Sequence, residues 1–132
     1  MRKLIQFLFL VPLTFSSCFI GADTYEKNIN SYFWLYSNDY STNNLSLGTI
    51  DYSYRIGDGY LHGIKQIGWD KSFMIIRTHS DKYYIQDLRN LSNKTSKDFK
   101  KYLHGPYSKL NFDNNRDSMN VDDNLDFILD YD

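Results

Sequence analysis

The sequence contains few side chains that could carry out catalysis. Its three histidines, His62, His79 and His104, are scattered, and none has a second histidine or cysteine at the spacing of a metal site. No G-x-S-x-G segment and no phosphate-binding G-x-x-x-x-G-K-[ST] segment occurs. Glycoside hydrolysis requires two carboxyl groups facing one cleft, and the only glutamate among many acidic residues is Glu26. We therefore expect a protein that is not an enzyme and uses no cofactor.

The acidic segment near the carboxyl terminus has part of the spacing of a calcium-binding loop. Asp113, Asn115 and Asp117 occupy positions 1, 3 and 5 of a loop of the EF-hand type. Position 6, which requires glycine for a sharp turn, is Ser118, and position 12, which requires a bidentate glutamate, is Asn124. We expect these side chains to form a solvated surface and not a metal site.

The amino terminus predicts an export signal. Arg2 and Lys3 precede an apolar run over residues 4–13, which small and hydroxyl residues follow. The run is too short to span a bilayer, which takes about 20 residues. Cleavage of such a signal would place the rest of the chain outside the cytoplasm.

The only cysteine, Cys18, ends this segment, and its surroundings carry a resemblance. Ser16-Ser17-Cys18 resembles the lipobox of bacterial lipoproteins, with Phe15 where that motif usually has leucine. The resemblance implies that Cys18 receives a diacylglyceryl group and becomes the first residue of a membrane-anchored mature protein. The alternatives are an ordinary secretory signal with a free cysteine, or a cytosolic protein with an apolar amino-terminal helix.

Composition limits the partners of the mature chain. Without residues 1–17 it carries 13 basic and 16 acidic residues, a net charge of about −3. A nucleic-acid partner normally requires a clustered basic face, so we expect none. No second cysteine is present to form a disulfide, and the 12 Tyr, 9 Phe and 2 Trp of the full sequence favour a β-rich core stabilised by packing.

The hydrophobic pattern predicts three segments: a signal peptide (1–17), a tether (18–31) and a single β-rich domain (32–132). Alternating apolar residues separated by short turns predict an antiparallel β-meander. The expected strands cover residues 32–37, 45–56 with an interruption at Gly48, 60–69 with bulges at Gly63 and Gly68, 72–78, 83–88 and 125–131. Residues 72–78 are expected in the centre because apolar residues occupy both faces. The fold class is therefore β-dominated α+β.

One or two short helices are expected toward the carboxyl terminus. Residues 93–102 predict a short helix or a loop, with Ser96 as its cap. Ser108 is expected to begin a second helix over residues 108–119, with Leu110, Phe112 and Met119 inward, and Gly105 to Tyr107 are expected to form a turn.

A second resemblance covers roughly residues 60 to 128. The strings GWDKSFMII, YYIQDL and HGPYSKLNFDNNRDSMNV are similar to those of a family of short uncharacterised bacterial lipoproteins. The positions that carry this resemblance are Gly68, Asp70, Ile75, Ile76, Tyr83, Tyr84, Ile85, Asp87, Gly105, Pro106, Phe112 and Arg116. The resemblance implies a small lipid-anchored β-rich domain and supplies no catalytic residues.

These patterns favour a protein-interaction module held at a bacterial cell membrane or outer membrane. Tyrosine and tryptophan suit wet binding surfaces, and we expect the surface to include Tyr52, Tyr54, Tyr60 and Trp69, near the GDG and WDK turns. The alternatives are a small-ligand or glycan-binding lipoprotein, since aromatic side chains stack on sugars, and an inhibitor or immunity protein.

Overall fold

The computed structural model describes residues 25–37, 44–49, 60–91 and 96–131. Nine strands and two helices occur in these ranges. The strands are β1 (Tyr25–Asn28), β2 (Phe33–Ser37), β3 (Ser46–Thr49), β4 (Leu61–His62), β5 (Ile64–Trp69), β6 (Phe73–Thr78), β7 (Tyr83–Asp87), β8 (Leu103–Tyr107) and β9 (Leu129–Asp130). The helices are α1 (Ser96–Lys101) and α2 (Lys109–Met119).

The strands form two antiparallel sheets. The first has the order β1-β2-β3-β4 and the second has the order β8-β7-β6-β5-β9. Most neighbours in space are also neighbours in sequence, so the predicted β-dominated meander with two helices toward the carboxyl terminus is confirmed.

The second sheet lies between the first sheet and α2. On β6, Met74 and Ile76 join a core shared with the first sheet, whereas Phe73 and Ile75 join a core shared with α2. This alternation follows from the period-2 geometry of a strand, and it explains why β6 is apolar on both faces. The predicted central position of β6, between β5 and β7, is confirmed.

The larger core fills the space between the two sheets. Its fully buried side chains come from four strands, β2, β3, β5 and β6, and from Leu45 just before β3 and Leu91 after β7. The strand residues are Phe33, Leu35, Leu47, Ile64, Ile67, Met74 and Ile76. The smaller core holds α2 on the opposite face through Phe112, which is fully buried beside Tyr83 at a ring-centroid distance of 5.0 Å.

Helix α2 begins where the sequence predicts. The Oγ of Ser108 accepts a hydrogen bond from the Asn111 N–H (3.3 Å), and Asn120 ends the helix in the left-handed conformation with φ 57°. Phe112 points inward as expected, but Leu110 does not, since its side chain is 71% exposed.

Part of the segment predicted as a tether belongs to the first sheet. Residues 25–28 form β1, which pairs with β2 from Tyr25↔Ser37 to Asn28↔Trp34, and the following Ile29 is buried. The sequence did not indicate this strand because three of its four residues are exposed. An edge strand needs few apolar residues, and charged residues on it oppose pairing with another chain.

Two further elements differ from the predictions. Residues 105–107, expected as a turn, belong to β8, where the Gly105–Pro106 peptide bond is cis. The edge position tolerates proline, because one side of an edge strand has no partner for an N–H. The expected strand over 125–131 is reduced to β9, and Leu125 instead packs in the core beneath α2.

Two glycines within the strands allow close packing. Gly48 does not interrupt its strand but lies inside β3 opposite Trp34, whose indole covers it. Gly68 lies inside β5. A Cβ atom added at Gly68 would lie 2.8 Å from the carbonyl carbon of Asp126, which is too close for a real side chain. Gly63, by contrast, has φ 66° and separates β4 from β5.

Candidate functional site

A surface groove of about 480 Å³ lies where the two sheets end side by side. One wall is the turn between β1 and β2, and the other is the end of β5 with the turn that follows it. The lining residues are Asn30, Ser31, Tyr32, Trp69, Asp70, Lys71 and Leu88.

Two side chains build the turns that form these walls. Asn30 Oδ1 accepts hydrogen bonds from the backbone N–H groups two and three residues further on, at 2.8 and 3.0 Å. Asp70 Oδ1 makes the same pair of bonds in its own turn, at 2.6 and 2.8 Å. Asn and Asp favour such turns because their short side chains reach their own backbone.

The apolar surface of the groove comes from Tyr32, Trp69 and Leu88. Leu88 is buried at 6% exposure and belongs to the larger core, which makes its position rigid. Tyr32 is held edge-on against Phe99 at a centroid distance of 5.8 Å. Trp69 is half-buried in β5, opposite Met74 of β6. The aromatic rings are therefore attached to the sheets and presented at their ends.

One buried polar atom among the described groove residues lacks a partner. Asn30 Nδ2 is buried and makes no hydrogen bond with any residue of the described chain. Exchanging the two ends of the amide would not satisfy it, because nitrogen would then face the two backbone N–H donors. An unpaired buried polar group costs about 1–3 kcal/mol.

The described residues of the groove have a simple chemistry. Among them, Asp70 is the one carboxylate and Lys71 the one cation, and there is no histidine or cysteine. General acid–base catalysis at a glycosidic bond requires a second carboxyl group, and nucleophilic catalysis requires a nucleophile beside a base. The groove can offer aromatic surface and hydrogen bonds to a ligand.

The four aromatic residues predicted to form a binding surface do not all lie here. Trp69 lines the groove. Tyr60 instead packs on Phe33 at a centroid distance of 5.5 Å, and its hydroxyl donates to Gln86 Oε1 at 2.6 Å. Burial of the Tyr60 phenol raises its pKa. Tyr52 and Tyr54 lie outside the described residues, as does Cys18.

The residues considered for metal binding lie in other settings. Asp113, Asn115 and Asp117 are on α2 and not in a loop, so they cannot surround an ion as successive loop ligands do. His62 Nδ1 lies 2.8 Å from the Ser46 hydroxyl. Within the described ranges, no group of three His, Cys, Asp or Glu side chains is placed to hold a metal.

A smaller pocket of about 200 Å³ near α2 is lined by Asp113, Arg116, Asp117 and Asp123. The guanidinium of Arg116 donates to the backbone oxygens of Asp122 (3.0 Å) and Leu125 (2.7 Å). Arg116 therefore ties the chain after α2 to the helix, which is a structural role.

Sequence reasoning missed Asn30, Tyr32 and Lys71 as members of one site. The sequence pattern predicts Asn30 in the tether and Tyr32 at the start of a strand. The signal that could have found them is the repeated turn chemistry, in which Asn30 and Asp70 each stand three residues before the phenylalanine that opens a strand.

Comparison of the chain with protein-family models, curated proteins and solved structures gives no significant match. The similarity to short bacterial lipoproteins therefore stays a prediction. In the part of the chain that the structure describes, none of the helices has the length and hydropathy needed to cross a bilayer.

Proposed function

We propose that the chain is a non-catalytic binding module, anchored by lipid on Cys18 to the outer face of a bacterial membrane, and that the groove beside Trp69 is its recognition site. The observation that carries the proposal is a groove lined by two half-buried aromatic side chains, Tyr32 and Trp69, beside the core residue Leu88.

The lipid anchor is supported by the basic and apolar amino terminus that ends at Ser16-Ser17-Cys18. Because β1 begins at Tyr25, only residues 19–24 separate the anchor from the sheet. A chain extends by at most about 3.6 Å per residue, so the seven steps from Cys18 to Tyr25 span at most about 25 Å. The domain would therefore operate close to the membrane surface.

A protein partner is our first choice for the ligand. Aromatic side chains held rigidly at a surface are the residues that most often dominate the energy of protein interfaces. The second candidate is a small ligand or a glycan. It is favoured by the groove volume of about 480 Å³, which falls in the range of about 300–1,000 Å³ found for small-molecule sites.

The experiment is partner capture in the native cells. Carboxy-terminally tagged protein is crosslinked, recovered from membranes and analysed for co-purifying proteins, with Cys18→Ala and Trp69→Phe variants alongside. Trp34→Phe is the matched control. It is the same substitution, but Trp34 lies on β2 and is not among the residues that line the groove.

We expect the unmodified protein in membranes with a dominant partner. Cys18→Ala should move the protein out of the membrane fraction, and Trp69→Phe should reduce partner recovery while Trp34→Phe does not. Soluble unmodified protein would contradict the lipid anchor. Equal partner recovery from the Trp69→Phe and Trp34→Phe variants would remove the groove from the recognition surface.

A further inference from the structure

We infer that the groove binds an arginine side chain, presented by an exposed basic segment of the protein partner. This inference rests on the proposed function, since it names the ligand of the same recognition site. It follows from the one carboxylate among the described groove residues, from the aromatic rings that share the groove with it, and from the charge of the mature chain.

The carboxylate of Asp70 is held in place and has one oxygen to spare. Its Oδ1 accepts the backbone N–H groups of Ser72 and Phe73 at 2.6 and 2.8 Å, which fixes the orientation of the group. Its Oδ2 makes no hydrogen bond or ion pair with any residue that the structure describes. This oxygen is not among the buried unpaired atoms of the described ranges, so solvent, and therefore a ligand, can reach it.

Other aspartates of the described chain form ion pairs with nearby cations: Asp81 with Arg77, Asp87 with Arg89 and Asp113 with Lys109. Asp70 forms none there, although Lys71 follows it directly in the sequence. A cation supplied by a partner would complete the pair. Because the turn already fixes this carboxylate, little conformational entropy would be lost when the cation binds.

The aromatic rings of the groove favour the same ligand. Tyr32 and Trp69 are half-buried and line the groove beside the carboxylate. The face of an aromatic ring attracts cations, and arginine more often than lysine, because the planar guanidinium can stack on a ring while it donates hydrogen bonds to a carboxylate.

The chain itself holds an arginine in this way at another place. The guanidinium of Arg89 lies 4.6 Å from the centroid of the Phe73 ring and also pairs with the carboxylate of Asp87 at 2.7 Å. One ring and one carboxylate thus suffice to position one guanidinium. We propose the same arrangement for the groove, with the arginine supplied by the partner.

The charge of the chain also favours a basic partner. Without residues 1–17 the chain has 13 basic and 16 acidic residues, so a basic segment is attracted and an acidic one is repelled. Lys71 opposes this attraction locally, since it too lines the groove. The two neighbouring charges therefore lead to opposite expectations. Removal of the negative charge of Asp70 should weaken the binding of an arginine, and removal of the positive charge of Lys71 should strengthen it.

The test uses tryptophan fluorescence of the full chain in detergent micelles. The protein has two tryptophans, so a Trp34→Phe variant leaves Trp69 as the only emitter. The probes are a capped Gly-Ser decamer with a central arginine, the same peptide with lysine or glutamate in its place, and a tetramer of N-acetylglucosamine. A buffer of physiological ionic strength screens the more distant charges. We expect the arginine decamer to change the emission of Trp69 at the lowest concentration, and the glutamate decamer and the sugar to leave it unchanged.

A reciprocal pair of substitutions, Asp70→Asn and Lys71→Gln, then tests the charge argument in the same background. Asparagine removes the charge and keeps the oxygen that forms the turn, because Asn30 makes the same pair of bonds in its own turn. We expect Asp70→Asn to weaken binding of the arginine decamer about tenfold, since a hydrogen bond between two charged groups is lost. Lys71→Gln should strengthen binding about twofold, which is typical of one exposed charge.

Matched controls remove the same charges elsewhere on the surface. Asp123→Asn and Lys82→Gln change exposed residues that do not line the groove, so neither should alter binding of the arginine decamer. Circular dichroism checks that each variant is folded. In the native cells, partner recovery should fall with Asp70→Asn and should not fall with Asp123→Asn.

Four results would overturn the inference. If the glutamate decamer binds and Lys71→Gln abolishes its binding, the groove is an anion site. If the sugar tetramer binds and neither charge substitution alters this, the groove is a glycan site. If the lysine decamer binds as tightly as the arginine decamer, the groove does not select the guanidinium. If partner recovery falls with Trp69→Phe but not with Asp70→Asn, the arginine is wrong and the recognition site stands. Should Asp70→Asn fail to fold, the response of the arginine decamer to Lys71→Gln still decides.

Discussion

Replacement of Tyr60 by phenylalanine should destabilise the domain through a single buried atom. The Tyr60 hydroxyl donates to Gln86 Oε1 at 2.6 Å, and Gln86 is fully buried, with its amide nitrogen 3.2 Å from the carbonyl oxygen of Phe99. Tyr60→Phe leaves Gln86 Oε1 without its donor. A buried acceptor without a partner costs about 1–3 kcal/mol.

The assay is thermal and urea unfolding of the full chain in detergent, followed by far-UV circular dichroism. A loss near the middle of that range, about 2 kcal/mol, lowers the Tm of a domain of this size by about 8–16 °C. Tyr84→Phe is the control, because Tyr84 is also half-buried and its hydroxyl bonds to no described residue. We expect the control to lie within about 0.5 kcal/mol of the unmodified protein.

A double-mutant cycle identifies the partner. In a Gln86→Met background the acceptor is absent, so Tyr60→Phe should cost much less than it does in the unmodified protein. Residues that share one hydrogen bond typically show coupling energies of about 0.5–3 kcal/mol. If Tyr60→Phe is no more destabilising than Tyr84→Phe, or if the two substitutions of the cycle are additive, the buried hydrogen bond does not stabilise the fold as we argue.

The structure also predicts the direction of three further changes in stability. Burial raises the pKa of Tyr60 above its ordinary value of 10.0, so on raising the pH the unfolded chain loses this proton before the folded chain does. The free energy of unfolding should therefore fall above about pH 10. If it falls as steeply with pH in a Tyr60→Phe variant as in the unmodified protein, this reasoning is wrong. The hydrogen bond from Arg89 holds the pKa of Asp87 below its usual 3.8, so its contribution is complete above that pH and is lost below it; Asp87→Asn should shrink the difference in stability between pH 7 and pH 3. Gly68→Ala would place a methyl group against the backbone of Asp126. We therefore expect the free energy of unfolding to fall by about 1–3 kcal/mol and the chain after residue 125 to be cleaved faster by proteases. Unchanged proteolysis would argue against this packing.

The elements that sequence could predict are those whose signal is local. Strand β6 alternates between two apolar cores within six residues, and Ser108 caps the helix that follows it directly. Strand β8 was missed because Gly105 and Pro106 are turn formers that only an edge position admits as strand residues. Strand β1 was missed because its stability comes from pairing with β2, a property that its own exposed residues do not show.

The groove could not be predicted because its two walls are far apart in the sequence. Trp69 was expected at a binding surface from its residue type and its position before a turn. Its neighbours Asn30 and Tyr32 reach it only because the two sheets pack with their turns at one edge. Nothing in the sequence alone distinguishes Tyr60, which is used inside the fold, from an aromatic residue that remains available for binding.

The position of the groove sets how far the proposed module can reach. The chain leaves Cys18, covers at most about 25 Å to Tyr25, and then runs along β1, where each residue rises about 3.3 Å. The five residues from Tyr25 to Asn30 add about 16 Å, so the groove lies within about 40 Å of Cys18, the proposed point of lipid attachment. A soluble receptor could approach from any distance, but this module would engage only partners that come within that range of the membrane.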